Sequence, residues 1–595
     1  MRELSLLLLM GALSVVAATV LGERCHIWWM TESGFAILVG MFVGLLWYAT
    51  TQLSQTSVQT EAHDLEMLEF QPAVFTLLLL PPIIFESGYN LNHRPFFQNI
   101  GGVLTFAFIG TLVAFSIMAP SLYYGLGGAH GLLTPMESCA FAALIVAVDP
   151  VATLAIFSST GADPKLNSLV FGESVLNDAV AIVLFKTVVQ LGEAAPLAQQ
   201  GPEALSAASI FGAVGSFCLI FLGSVGIGVI GGCAIALLFK LVNMRSLPAS
   251  VAAPAELICL ICLSYSTFLL AEYARLSGIV ASLFSGAVCV VYVQRNLSVE
   301  GATLCKTTVR VLAKLCETIV FVLMGYGFWL YTIGGTPPAR LGPDGNGSQV
   351  PAGSKALVDP CIPPDLAERV PMEPSFIVLT LAMCLLSRGV SVFPLAAFAN
   401  AFRSPEKRIR IHEQAVIWFS GLRGAIALAL AVEFPTAADV QGMPGEGNFC
   451  YQREHVVACT IMVVMCTVFV LGGFTKPVLN LCGIEMGGGH GAGDEVTEAP
   501  EQRSPPTSKQ GWKRALINAH NKVLKPVLVA EYDPRAAAAG AARNPPHTPA
   551  EAARLAAQSA VPAGGERPRG GGSEAGSEDL AMGSMADAES HHERL

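Results

Sequence analysis

Six charged side chains fall where charge is hard to keep. Asp149, Glu173, Asp178, Glu317, Arg388 and Arg423 each lie well inside a long apolar run. Ionisable groups at such depth are costly in hydrocarbon and mark ion binding, proton transfer or a buried ion pair. The run 171–179 reads Phe-Gly-Glu-Ser-Val-Leu-Asn-Asp-Ala, so Glu173 precedes Asn177 by one helical turn, as Ser174 precedes Asp178. At about 100° per residue these four fall within roughly 140° of arc. One face of a helix there is a column of oxygen ligands, the donor type that hard cations prefer. A polar network that only holds helices together would not need two carboxylates.

Two further segments carry charge beside a helix breaker. In Val148-Asp149-Pro150-Val151, the proline removes a donor and disfavours helix at Asp149. In Ser420-Gly421-Leu422-Arg423-Gly424, two glycines flank an arginine. Interrupted helices at corresponding positions of two halves mark the binding site of inverted-repeat transporters. A buried arginine needs an anionic partner. For Arg388 the first candidate is Glu173, which would leave Asp178 to bind and release ions; Glu317 is a competitor for the same arginine.

These residues need helices in a membrane to hold them. Of 595 residues, 53% are hydrophobic and 13% charged, about half the charge of an ordinary soluble protein. The net charge of −10 and the lack of a basic domain argue against a nucleic-acid partner. Apolar runs long enough to cross a bilayer occur at 4–21, 33–49, 72–87, 100–125, 137–158, 168–191, 207–240, 252–271, 276–294, 308–333, 375–400, 412–433 and 454–482. The expected fold is therefore all-α and polytopic, with about thirteen transmembrane helices. Spans 1–6 and 8–13 would form two inverted repeats of six, with discontinuous spans five and twelve crossing. The first run, within 1–32, reads either as a retained helix or as a signal peptide.

Lys and Arg cluster in loops that follow odd-numbered spans, while 50–71, 126–136 and 192–206 carry neither. By the positive-inside rule the odd loops and the C-terminus are cytoplasmic. Loop 334–374 is then lumenal, where Asn346-Gly347-Ser348 forms a glycosylation sequon. Asn296-Leu297-Ser298, in a cytoplasmic loop, reads as a chance match. Cys361 and Cys450 fall in lumenal loops; pairing and two free thiols both stay open. The antiporter domain is read as 33–485, followed by a cytoplasmic juxtamembrane region at 486–532. Within that region, 512–529 has the pattern of an amphipathic helix on the inner membrane surface. Residues 533–595 are rich in Gly, Pro, Ala, Ser and Glu and read as disordered. The G-x-G-x-x-G at 226–231 and the C-x-x-C at 259–262 lie inside apolar runs and read as helix packing and coincidence.

The ordered set of motifs resembles the eukaryotic sodium/proton exchangers of the monovalent cation:proton antiporter family. It comprises Leu79-Leu80-Pro81-Pro82-Ile83, Val148-Asp149-Pro150-Val151-Ala152, the 171–178 run, Arg388, and Gly421-Leu422-Arg423-Gly424-Ala425-Ile426. Phe85-Glu86-Ser87-Gly88-Tyr89 and Phe96-Phe97-Gln98-Asn99-Ile100-Gly101 are most similar to the Golgi and endosomal subgroup typified by mammalian isoform eight. The resemblance implies a homodimer in which a core domain moves against a dimerisation domain. It implies a Golgi or endosomal membrane, with the plasma membrane as the alternative. By motif match, Asp178 would carry cation and proton in turn, Asn177 would be its neutral partner, Asp149 would sit at the crossing, and Glu173 would pair with Arg388. Arg423 and Glu317 would support the site. Phe75, Leu80, Pro81 and Pro82 look like the family's inhibitor-associated segment. Thr76 stands where many members have Phe, which leaves amiloride-type sensitivity open.

The resulting expectation is an electroneutral antiporter exchanging Na⁺ or K⁺ for H⁺, with Asp178, Asn177, Ser174 and Asp149 around the ion. No cofactor is expected and no metal other than the monovalent substrate. An intramembrane aspartyl protease using Asp149 and Asp178 would lack its Gly-x-Gly-Asp signature, since Leu176-Asn177 precedes Asp178. A cation channel lined by the same oxygens is the third reading.

Overall fold

The computed structural model describes residues 2–20, 30–54, 72–91, 93–127, 133–149, 154, 157, 164–194, 207–244, 247–329, 331, 374–401, 403, 408–435, 453–483, 520 and 524–529. Among these there are helices and no strand. A helix occupies each of the thirteen apolar stretches. They are α1 (Arg2–Thr19), α2 (Glu32–Ser54), α3 (72–89), α4 (93–127), α5 (Pro135–Ile145), α6 (Pro164–Ala194), α7 (Ala207–Val242), α8 (Ala249–Tyr273), α9 (Gly278–Val293), α10 (Val299–Phe328), α11 (Pro374–Ala401), α12 and α13 (453–481). The twelfth is split into α12a (Ile411–Phe419) and α12b (Ala425–Val432). Among the described residues, seven helices, α4, α6, α7, α8, α10, α11 and α13, are long and apolar enough to cross a membrane unaided. The apolar helices in α1, α2, α3, α5 and α9 are shorter.

Helix packing divides into two groups. α1, α2, α3, α7, α8, α9 and α10 pack on one another, while α4, α5, α6, α11, α12 and α13 form a second set. We call these the panel and the core. They meet chiefly where α6 lies on α7 and where α10 lies on α12b and α13. Leu219, Leu222 and Ile230 on α7 are exposed, an apolar surface suited to lipid.

Local chemistry explains the irregular places. Pro81 and Pro82 cannot donate to the carbonyls one turn earlier. The chain answers with a π-turn at Phe75–Leu79, and the Tyr265 hydroxyl of α8 donates to the freed Leu77 carbonyl at 2.7 Å. Buried Glu256 of α8 accepts from both the backbone N–H and the hydroxyl of Ser298, which fixes the start of α10.

Several sequence expectations change here. The described part of 512–529 includes a four-residue helix, α14 (Lys525–Leu528), docked on protein. Lys240 Nζ of α7 donates to the Pro526 and Val527 carbonyls at 2.7 and 2.8 Å, and Leu528 and Val529 are buried. Leu528 and Val529 join the apolar cluster of α7 and α9, while 512–519 and 521–523 of the expected amphipathic segment lie outside the described residues. Asn296 is 2% exposed. Its amide donates to the carbonyls of Ala236 and Leu528, so the second sequon is structural. Asn346, Cys361, Cys450 and the tail 533–595 lie outside the described residues.

The two sequons therefore have different expected fates. Glycosidase treatment should shift the mobility of the mature protein, Asn346→Gln should abolish that shift, and Asn296→Gln should leave it intact. A shift lost only with Asn296→Gln would invert the topology.

Candidate functional site

The site is built where two helices stop. α5 starts with a capping box: the Thr134 hydroxyl accepts from Glu137 N–H at 3.2 Å and the Glu137 carboxylate accepts from Thr134 N–H at 2.7 Å. It ends at Ile145, and 147–149 lie outside any helix, in keeping with the helix-disfavouring Asp149-Pro150 pair. In α12 the chain leaves helix at Ser420 and resumes at Ala425. The two breaks cross. The Asp149 N–H donates to the Leu422 carbonyl at 2.9 Å, a backbone bond between the two interrupted segments.

No water from hydrocarbon can satisfy the groups freed at such a break, so side chains must. The carbonyls of Val146 and Ala147 accept from one Arg423 guanidinium nitrogen at 3.1 and 3.0 Å. The Val148 N–H donates to Asn177 Oδ1 at 3.0 Å, and the Val148 carbonyl accepts a short bond from the Ser174 hydroxyl. The end of α12a is handled alike: the Ile417 carbonyl accepts from Arg388 Nη2 at 2.8 Å. Each broken helix thus ends on an arginine, which also opposes the negative end of its dipole.

Glu173 and Arg388 form a two-pronged pair at 2.8 and 3.2 Å, with both side chains buried. This is the expected pairing of α6 with α11. Gly421 is required beside it, because a Cβ there would lie 2.3 Å from the Arg388 side chain. Gly424 is required for a similar reason. A Cβ there would fall 1.8 Å from Asp149 Oδ2, so the Asp149 carboxylate rests on the first turn of α12b.

In front of the crossing is a cavity of about 180 Å³. Its core wall includes Asp149, Ser174 and Asp178, and its panel wall includes Glu86, Lys314 and Glu317. The structure therefore brings Asp149, Ser174 and Asp178 together. Asn177 does not join them. Its Oδ1 accepts from Val148 N–H and its Nδ2 donates to Thr111 Oγ1 at 2.6 Å, so in this structure it braces the α5 break. Glu317 is not a competitor for Arg388. It lies on the panel wall, 3.5 Å from Lys314, and reaches the site from the opposite side.

The inhibitor-like segment lies further along α3. Phe75, Leu80 and Pro81 are buried and Pro82 is half-buried. Thr76 makes a short hydrogen bond to the Glu433 carboxylate at the end of α12b. Lys186 pairs with Glu272 of α8 at 2.8 Å, and Glu272 also accepts from Gly278 N–H. Thr76–Glu433 and Lys186–Glu272 each join core to panel. Lys186 is about 12 Å along α6 from Asp178, beyond the end of the cavity. The sequence reading missed Glu272, Glu433, Lys314 and Glu86. Only Lys314 left a signal, since Arg310, Lys314 and Glu317 share one face of α10.

The chain also has relatives among known proteins. A family model described as the transmembrane region of sodium/hydrogen exchangers matches residues 7–481. Sodium/hydrogen exchanger 8 of Homo sapiens is 34% identical over 486 residues, covering 81% of this chain and 72% of that protein. The chain belongs to the sodium/hydrogen exchanger family. A plant exchanger, sodium/hydrogen exchanger 5 of Arabidopsis thaliana, is 32% identical over 80% of this chain and 79% of its own. The fold of this exchanger is similar to that of the sodium proton antiporter MjNhaP1 from Methanocaldococcus jannaschii, with a TM-score of 0.53 and 15% identity over 81% of this chain and 99% of that one. These matches support neither the protease nor the channel reading.

The Glu173–Arg388 pair should behave as a unit. Removing one partner of a buried pair typically costs about 3–5 kcal/mol. Glu173→Gln and Arg388→Gln should each lower the thermal stability of the purified exchanger, and the double variant should recover more folded protein than either. Additive losses in the double-mutant cycle would mean that the pair contributes no coupling.

Proposed function

We propose that the exchanger swaps one Na⁺ or K⁺ for one H⁺ by alternating access, with Asp178 as the carrier. The observation that carries this is a charge count at the crossing. Three carboxylates, Asp149, Glu173 and Asp178, meet two guanidiniums, Arg388 and Arg423. Glu173 is bound to Arg388, and Asp149 rests against Gly424 at the α12b start. Two guanidiniums against three carboxylates leave one negative charge, which we assign to Asp178.

One cation or one proton on Asp178 makes this cluster neutral. An unloaded cluster carries a charge that is costly to move through a low-dielectric layer. Movement is then favoured only when loaded, and both ions compete for the same oxygens. Obligatory one-for-one exchange follows. Asp149 and Ser174 add oxygen ligands from the cavity's core wall.

In the reading proposed here, thirteen helices cross the membrane in two inverted repeats, the C-terminus is cytoplasmic, and the cavity opens to the cytoplasm. Lys186–Glu272 and Thr76–Glu433 then close the lumenal end between core and panel. A homodimer in a Golgi or endosomal membrane, glycosylated at Asn346, is the assembly supported by the family resemblance. The organellar location draws on the likeness to exchanger 8.

Asp178→Asn should retain the fold and reach its membrane, yet lose proton-coupled Na⁺ and K⁺ flux in reconstituted vesicles. Asp149→Asn should also impair flux. Normal exchange in Asp178→Asn would remove it as the carrier.

A further inference from the structure

The panel wall of the cavity carries positive charge, which a path for cations should avoid. Lys314 lies on the α10 face that also holds Arg310 and Glu317, and all three line the cavity with Asp149 and Asp178. Its ammonium is 2.7 Å from Glu32 Oε2 of α2 and 3.5 Å from Glu317 Oε2. Glu317 Oε1 is buried and has no hydrogen-bond partner among the described residues. Glu86 of α3 faces the same space and is tied to Asn90 at 2.6 Å.

A stability role explains Lys314 poorly. Its side chain is 43% exposed and that of Glu32 is 66% exposed. Bridges this open to solvent add little to folding. The field of the charge in the cavity is another matter. A fixed ammonium on the panel wall repels a cation approaching Asp178, and it offsets the attraction of Glu317.

We propose that Lys314 is a specificity-determining residue that sets the affinity of the cavity for its cation substrate, through its fixed charge opposite the carboxylates of the core. The inference rests on Asp178 as the carrier. Glu317 is its counterweight: the two side chains, one turn apart on α10, tune the same field in opposite directions. A unit charge on the order of 10 Å from a bound cation, screened to between the protein-surface and bulk-water limits, changes affinity by roughly fivefold.

The test uses the full chain in proteoliposomes and measures Na⁺-driven proton flux at one alkaline pH, where proton competition is least. Lys314→Met should lower the Na⁺ KM roughly fivefold. Lys314→Glu should lower it further, Lys314→Arg should match the wild type, and Glu317→Gln should raise it. A lysine that only links α2 to α10 would instead reduce the maximal rate and protein yield without ordering KM by charge, and that result overturns the inference. To avoid any folding defect, Lys314→Cys can be reacted in the reconstituted state with a neutral or a cationic methanethiosulfonate, with treated wild type as control. The cationic adduct should have the higher KM, and equal values would also overturn the inference. Asp178→Asn, run in parallel, separates the two readings. Its loss of flux with a flat Lys314 series defeats only the present inference, and retained flux defeats the carrier assignment itself.

Discussion

Backbone polar groups released inside a membrane must find partners in the protein, and this constraint organises the core. Two helices are interrupted, one by Asp149-Pro150 and one by the glycines around Arg423. The freed groups of α5 are taken up by Arg423, Asn177, Ser174 and the Leu422 carbonyl. The end of α12a is taken up by Arg388, which Glu173 then neutralises. The same contacts fix α5, α6, α11 and α12 relative to one another. The proposed ion site is built on this frame, where Asp149, Ser174 and Asp178 line one cavity.

Function depends on what the scaffold leaves over. Most charges at the crossing are spent on helix ends or on each other, while Asp149 and Asp178 face the cavity. That division separates the carboxylates of the proposed ion site from their support. Asn177 illustrates the division. Its place beside Asp178 suggests an ion ligand, but both ends of its amide are committed to backbone and to Thr111. Being neutral, it performs that task without adding a second charge to the moving cluster.

Much of this was legible in the sequence, for identifiable reasons. Apolar runs long enough to span a bilayer located the helices, since few other structures tolerate such runs. Pro150 and the glycines at 421 and 424 located the breaks. Arg388 with Glu173 was legible because a buried arginine needs an anion. Other contacts were not. Lys186–Glu272 and Thr76–Glu433 join helices far apart in sequence, from residues near helix ends, where charge is ordinary. That Glu317 would face Lys314 and not Arg388 was not legible, because depth along a helix does not say which neighbour a side chain faces. The docking of Leu528 on α7 and α9 was hidden because an apolar face suits lipid and protein equally.

Arg423 offers the most direct test. Among the described residues it alone donates to the carbonyls of Val146 and Ala147, and its removal leaves both without that donor at a depth where each should cost about 1–3 kcal/mol. The decisive measurement is the thermal unfolding of purified Arg423→Met in detergent, with Na⁺-driven proton flux recorded on the same preparation. The account predicts a clear drop in the unfolding temperature, with partial recovery in Arg423→Lys, and loss of flux in the Met variant. An Arg423→Met protein with wild-type stability and flux would contradict it.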